Sequence, residues 1–289
     1  MDRNGGMELF LPPFLQPVDR GDSEMDEIKQ NQLAWSQLTQ EHYQTFLKAF
    51  QDGTYRFSQK IEEELGELRG KKILHLQCNT GADTIYLAQL GAAQVTGVDL
   101  VPENIQAACR MAQELGVSNT RFFVSDIMEL TKRHHEQYDL IFVSEGALIW
   151  IPDKEKWAQI VSSLLNPEGE LYLNDAHPFF LIFDEEKFSK GELKVRYPYF
   201  ETEPVVETGL GGYAGKVHAV EHYTWMYTVG MLFECLTKAG MTIEYFHEFD
   251  GYMCDIGGME REKDGLFYSK KFRGKLPMTF SLRARKNSR

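Results

Sequence analysis

The chain has 289 residues, 43% of them hydrophobic and 26% charged, with a formal net charge of −12. That length allows one large domain or a domain carrying an elaborate insertion. The acidic excess repels phosphate backbones and anionic lipid, which argues against nucleic acid as a partner.

The four cysteines, Cys78, Cys109, Cys235 and Cys254, contain no C-x-x-C pair. They suit a reducing cytoplasm better than a disulfide scaffold. Residues 1–25 read as irregular. The run Leu9 to Leu15 is short, broken by Pro12 and Pro13 and lacks a basic flank, so it does not read as a signal peptide. No apolar run approaches the roughly 18 residues of a membrane helix. Residues 26–69 read as helical. An alternation then begins: strand 72–76, helix 83–89, strand 94–98, helix 102–115, strand 120–124, a short polar helix around 128–134, strand 139–143, helix 153–165, strand 169–174. Several strands are near-continuous apolar runs, as strands buried on both faces should be. Strands alternating with helices predict an α/β fold with a parallel sheet and right-handed crossovers. The alternation stops near Ala176. Residues 178–224, rich in aromatics, glycine and proline, read as a lid-like insertion. A helix over 225–239 capped by Gly240 follows, then strands 242–249 and 277–283 placed in the same sheet. The expected division is a capping segment 1–69 and a main domain 70–289.

In open parallel sheets the ligand sits beyond the carboxyl ends of the strands. The first strand-to-helix loop there reads Gln77-Cys78-Asn79-Thr80-Gly81. With one glycine it cannot wrap a pyrophosphate as a G-x-G-x-x-G loop does; Asn79 is the best substitute, since Asn tolerates the left-handed region. The second strand ends in Asp99-Leu100, at the spacing where a carboxylate meets ribose hydroxyls. The third ends in Ser125-Asp126-Ile127, where a carboxylate can accept an exocyclic amine of adenine. Taken singly, Asp99 reads equally as a turn residue and Asp126 as a helix N-cap.

The run from Lys71 to about Pro178 resembles a class I S-adenosylmethionine (SAM)-dependent methyltransferase. KILHLQCNTGADTIYLAQLGAAQVTGVDL is similar to its first two motifs, RFFVSDIMEL to the third, YDLIFVSEGALIWIPD to the fourth and LLNPEGELYLND to the fifth strand. The first motif His-Leu-Gln-Cys-x-x-Gly, with Trp150 and the terminal PMTFSLRARK, resembles a bacterial branch of that superfamily. The resemblance implies a Rossmann-like, seven-stranded, mostly parallel sheet with helices on both faces and the last strand antiparallel between the fifth and sixth. It implies SAM as cofactor and a small-molecule methyl acceptor. The family's acidic first-motif residue falls at His75 and its first two glycines at Gln77 and Asn79, which leaves open how the methionine amino group is held; Gln77 offers an amide oxygen.

Methyl transfer from a sulfonium mainly requires alignment of the nucleophile, and a general base only where the acceptor must lose a proton. The expected cofactor residues are Trp35, His42, Gln77, Cys78, Asn79, Thr80, Gly81, Asp99, Leu100, Asp126, Ile127, Ser144, Glu145 and Gly146. His177 and Glu145, just past strand ends, are the candidate bases, with His177 preferred because imidazole titrates near neutrality. Trp150, His177, Tyr213 and Tyr223 are placed on the substrate side. Trp157 reads as core. The pattern His218-Ala219-Val220-Glu221-His222 matches H-x-x-E-H, but its flanks look extended, so no metal site is expected. The alternatives are an NAD(P)-dependent oxidoreductase, disfavoured by the loop and the lack of a Tyr-x-x-x-Lys pair, and a non-catalytic SAM-binding or interaction protein.

Overall fold

The apolar run that opens the alternation forms β1 (Lys72–Leu76), and every residue after Lys72 is buried. Burial on both faces is what a continuous apolar run entails in a central parallel strand. The computed structural model describes residues 21–201, 203–211 and 217–288; within them β1 lies inside a seven-stranded sheet. The other strands are β2 (Gln94–Asp99), β3 (Thr120–Val124), β4 (Tyr138–Ser144), β5 (Leu165–Ala176), β6 (Met241–Phe249) and β7 (Thr279–Lys286). Their order is β6-β7-β5-β4-β1-β2-β3. Pairings among β1 to β5 are parallel, and β7 runs antiparallel to both β5 and β6, as expected.

Helices α1 (Gly21–Ser36), α2 (Thr39–Gln51) and α3 (Gln59–Leu65) precede the sheet. Helices α4 (Ala82–Gln89), α5 (Pro102–Glu114) and α6 (Lys154–Leu164) connect its strands; α7 (Glu185–Ser189) and α8 (Val229–Lys238) follow β5. Alternate residues of a strand point to opposite faces. Leu74 and Leu76 therefore pack with Trp157, Val161, Leu232 and Leu236 of α6 and α8, while Ile73 packs with Ile61, Leu65 and Leu87 of α3 and α4. Burying each such side chain stabilises the fold by roughly 1.5–3 kcal/mol. Trp157 is core, as read.

Three expectations need correction. The helix placed over 225–239 begins at Val229, where Thr228 Oγ1 accepts from Met231 N at 3.0 Å. Trp225 lies outside it, buried, and its N–H donates to Ile149 O at 2.7 Å. The polar helix near 128–134 is a 3-10 helix, Ile127–Lys132, capped by Asp126. The stretch between β6 and β7, from which nothing was expected, carries a short antiparallel pairing of Glu260–Arg261 with Phe267–Tyr268. It shares an apolar cluster with the segment after β5, including Phe180, Phe188, Tyr252 and Phe272.

Between β5 and α8, Val205–Glu207 pairs with His222–Thr224, and Leu210–Gly211 with Val217–His218. Leu210 and Val220 pack on Ala34 and Leu38 beside α1. His218 and His222 lie on separate extended strands, facing Glu41 and Glu207 at 3.4 and 4.0 Å, and share no helical face. Among the described residues no helix is long and apolar enough to cross a membrane.

Candidate functional site

A cavity of about 290 Å³ opens at the carboxyl ends of β1, β2, β3 and β4. Its floor is the loop after β1. Gln77 and Asn79 stand at φ 55 and 48, and Gly81 at φ 81, so all three take the left-handed backbone that glycine favours. Asn79 manages this with a side-chain turn: its Oδ1 accepts from Thr80 N at 2.6 Å. The Asn79 N–H donates to Asp99 Oδ2 at 2.8 Å, which ties the loop to the end of β2. Asp99 also accepts from Val101 N at 2.9 Å and Asn104 Nδ2 at 3.1 Å. Burial pushes its carboxyl pKa up, and these N–H donors pull it back.

Most of the residues expected at the cofactor line this cavity: Trp35, Gln77, Cys78, Asn79, Thr80, Asp99, Leu100, Asp126, Ile127, Ser144, Glu145 and Gly146. Trp150 lines it too, edge-on to Trp35 with ring centroids 5.1 Å apart. Asp126 both caps the 3-10 helix, accepting from Met128 N at 2.8 Å, and faces the cavity; burial raises its pKa. Cys78 is buried, and burial drives its thiol pKa well above the usual value.

Four residues are placed otherwise. Gly81 stands behind the loop as the N-cap of α4, where a Cβ would meet Ala108 Cβ at 2.6 Å. His42 also stands behind it, its Nδ1 3.3 Å from Asn79 Oδ1, with burial lowering its pKa. His177 is on the far side of β5: its N–H donates to Met278 O at 2.9 Å, its ring packs near Phe246 and Phe280, and Nε2 lies 3.1 Å from Glu248 Oε1. Pairing with the chain entering β7 turns it away from the cavity. Tyr223 grips α1 through its backbone, while its hydroxyl bonds Glu221 at 2.9 Å. Tyr213 lies outside the described residues.

The cavity wall also holds residues the motifs did not single out. Tyr55, Arg56, Phe57 and Ser58 come from the link between α2 and α3, and Met253, Arg261 and Leu266 from the stretch between β6 and β7. The glycine density from Gly251 to Gly274 was the available signal for the latter. Asp83, in the first turn of α4, accepts from Tyr55 Oη at 2.5 Å and Ser144 Oγ at 2.6 Å. His75 is buried, its pKa lowered to about 4 by desolvation, with Nδ1 2.8 Å from Thr84 Oγ1 and Nε2 3.3 Å from Ser144 Oγ. Glu145, at φ 40, sits in the turn after β4. Burial first, then the carboxylates of Asp83 and Asp175, push its pKa up to about 8. Asp175 organises that turn by accepting from Gly146 N at 2.5 Å and Leu148 N at 2.9 Å.

Residues 67–206 match a family model described as a methyltransferase domain. The ubiquinone biosynthesis O-methyltransferases of Salmonella paratyphi A and Salmonella enteritidis are each 32% identical to the chain over 114 residues, 39% of this chain and 46% of theirs. The chain thus spans about half the length of the curated relatives it matches. Among solved structures, a SAM-dependent methyltransferase from Methanosarcina mazei superposes with a TM-score of 0.55 at 20% identity, covering 81% of this chain and 100% of that one. A putative SAM-dependent methyltransferase from Listeria monocytogenes gives 0.54 at 18%, covering 79% and 97%. The strand order, the antiparallel β7 between β5 and β6, and these likenesses together give the chain the Rossmann-like fold of SAM-dependent methyltransferases.

Proposed function

We propose that the protein moves a methyl group from SAM to a small-molecule acceptor, leaving S-adenosylhomocysteine. The observation that carries this reading is the cavity at the carboxyl ends of β1 to β4, floored by a left-handed Gln77–Gly81 loop and flanked by Asp99 and Asp126. The residues fit the cofactor. Asp99 and Leu100, lining the cavity, would hold the ribose hydroxyls, and Asp126 and Ile127 the adenine edge. Gln77 Oε1 is buried without a donor among the described residues, a free acceptor in the same cavity. Trp35 closes over the loop, and His42 and Gly81 hold its shape from behind.

When bound, the cofactor supplies a methyl group already activated on a sulfonium. The chain's own task is then positioning, exclusion of water and proton removal. The names of the curated relatives support a hydroxyl acceptor. Glu145 would take the hydroxyl proton, since a carboxylate raised to about 8 is a far stronger base than an ordinary glutamate. Trp150 walls the acceptor, and α1 roofs the cavity through Ile28, Asn31 and Trp35, held there by the backbone of Tyr223. This reading keeps 1–69 as a capping segment, 70–289 as the methyltransferase domain and 178–224 as its lid.

The test is a thermal-shift titration with SAM, S-adenosylhomocysteine, NAD and NADP. A ligand at 100 times its dissociation constant adds about 2.7 kcal/mol. Shifts with the two adenosyl ligands alone are expected; a shift with NAD or NADP alone refutes the proposal. On an identified acceptor, Glu145→Gln is expected to lower kcat by about 10²–10⁴.

A further inference from the structure

We propose that Asp83 is the anion that holds the α-ammonium group of the cofactor, positioned for it by Ser144 and His75. This rests on the SAM reading above.

The acidic groups around the cavity differ in what already satisfies them. Asp99 accepts from three N–H donors, those of Asn79, Val101 and Asn104. Asp175 accepts from the backbone N–H groups of Gly146, Leu148 and Ala176. Both carboxylates are therefore already met by three N–H donors each, Asp175 in shaping its turn and Asp99 in tying the loop beside the ribose site. Asp83 lines the cavity, yet it receives only the hydroxyls of Tyr55 and Ser144, and among the described residues no lysine or arginine forms an ion pair with it. A carboxylate with two oxygens keeps acceptor capacity after two such bonds.

The groups around it repeat the same polarity. Glu145 adjoins Ser144, and Asp83 and Asp175 are the charges acting on it. Gln77 spends its amide N–H on Ala147 O at 2.9 Å, so its buried Oε1 is left to accept. This end of the cavity collects acceptors from the loop after β1, from α4 and from the turn after β4, and among the described residues no lysine or arginine is ion-paired with Asp83. Its complement is a compact cation with several N–H donors, and of the groups of SAM only the primary ammonium has them.

His75 explains why the anion stands at position 83. Its pKa, lowered by burial to about 4, keeps the imidazole neutral near pH 7. Its two nitrogens lie against Thr84 Oγ1 and Ser144 Oγ, and Ser144 Oγ in turn donates to Asp83 Oδ2. His75, near the end of β1, thus aims a hydroxyl that aims a carboxylate lining the cavity. His75 and Ser144 are positioning residues, and Asp83 makes the contact.

Calorimetric titration separates the ammonium from the rest of the ligand. S-adenosylhomocysteine carries the amino acid; 5′-methylthioadenosine carries the same nucleoside and thioether without it. Asp83→Asn removes the charge and keeps the shape. It is expected to weaken S-adenosylhomocysteine by roughly 10- to 100-fold, the size of a charge-assisted hydrogen bond. Binding of 5′-methylthioadenosine should stay within about twofold, well under one pairwise interaction. Equal losses for both ligands, or no loss for S-adenosylhomocysteine, overturn the proposal. Should Asp83→Asn not fold, Ser144→Ala decides it: a loss confined to S-adenosylhomocysteine supports the anchor, and an equal loss or none overturns it. Wild-type protein that binds both ligands equally refutes the anchor alone, whereas wild-type protein that binds neither refutes the SAM reading with it.

Discussion

Glu145 shows how a single residue ties stability to chemistry. Its carboxyl is raised from 4.5 to about 8, by burial first and then by Asp83 and Asp175. The folded protein therefore holds this proton more tightly than the unfolded chain. The resulting stabilisation is fully present below about 4.5 and is lost as pH rises through 8. Calorimetric melting at several pH values should show wild-type Tm declining relative to Glu145→Gln between pH 5 and 7.5; parallel curves would count against the raised pKa. Gly81 makes a second residue-scale case. At φ 81, with Ala108 Cβ 2.6 Å and Phe122 Cε1 2.8 Å from the place a Cβ would occupy, Gly81→Ala should lose about 2–4 kcal/mol in denaturant unfolding. The left-handed Asn79 is legible in the sequence because Asn carries its own turn chemistry. Gln77 has no such signature, and only the closure of the loop onto Asp99 and Ala147 places it at φ 55.

Among the elements, α1 is held over the cavity by a few identifiable bonds. Buried Asn31 donates to Tyr223 O and accepts from Tyr223 N, both at 2.7 Å, and Gln30 Nε2 bonds Glu221 O at 3.0 Å. Asn31→Ala leaves two backbone groups of the 222–224 strand unpaired, at a cost of about 1–3 kcal/mol. Hydrogen exchange should then quicken in α1 while the β1 and β4 amides stay protected, and S-adenosylhomocysteine should bind more weakly. Uniform quickening across the sheet would mean that α1 is no separate roof. Buried Lys154 plays a comparable part in tying the start of α6 to the segment before α8. It donates to Ile151 O at 2.5 Å and Trp225 O at 2.8 Å, and desolvation lowers its pKa to about 7. The strands and crossover helices are legible in order from periodicity, because each buries a face against its sequence neighbours. His177 is not: its position past β5 is local, but the side it faces is set by β7, which arrives about a hundred residues later in the chain.

For the whole molecule, the net charge of −12 sets the sign of the far field. Fluorescence anisotropy with a labelled duplex should show no binding at 50 mM salt, where a basic surface would bind best; saturable binding there would overturn the small-molecule reading. The sequence alone determined the element order, the parallel core strands and the acidic residues at successive strand ends, because apolar runs, spacing and turn chemistry act over short stretches of chain. Tertiary structure alone decided the rest. It brings Tyr55, Asp83, Arg261 and Leu266 to one cavity from three separate stretches, and it turns His177 away. It also surrounds Glu145 with carboxylates. Those outcomes depend on which faces meet after the sheet closes and on the desolvation that follows, and neither is a property of any local stretch of residues.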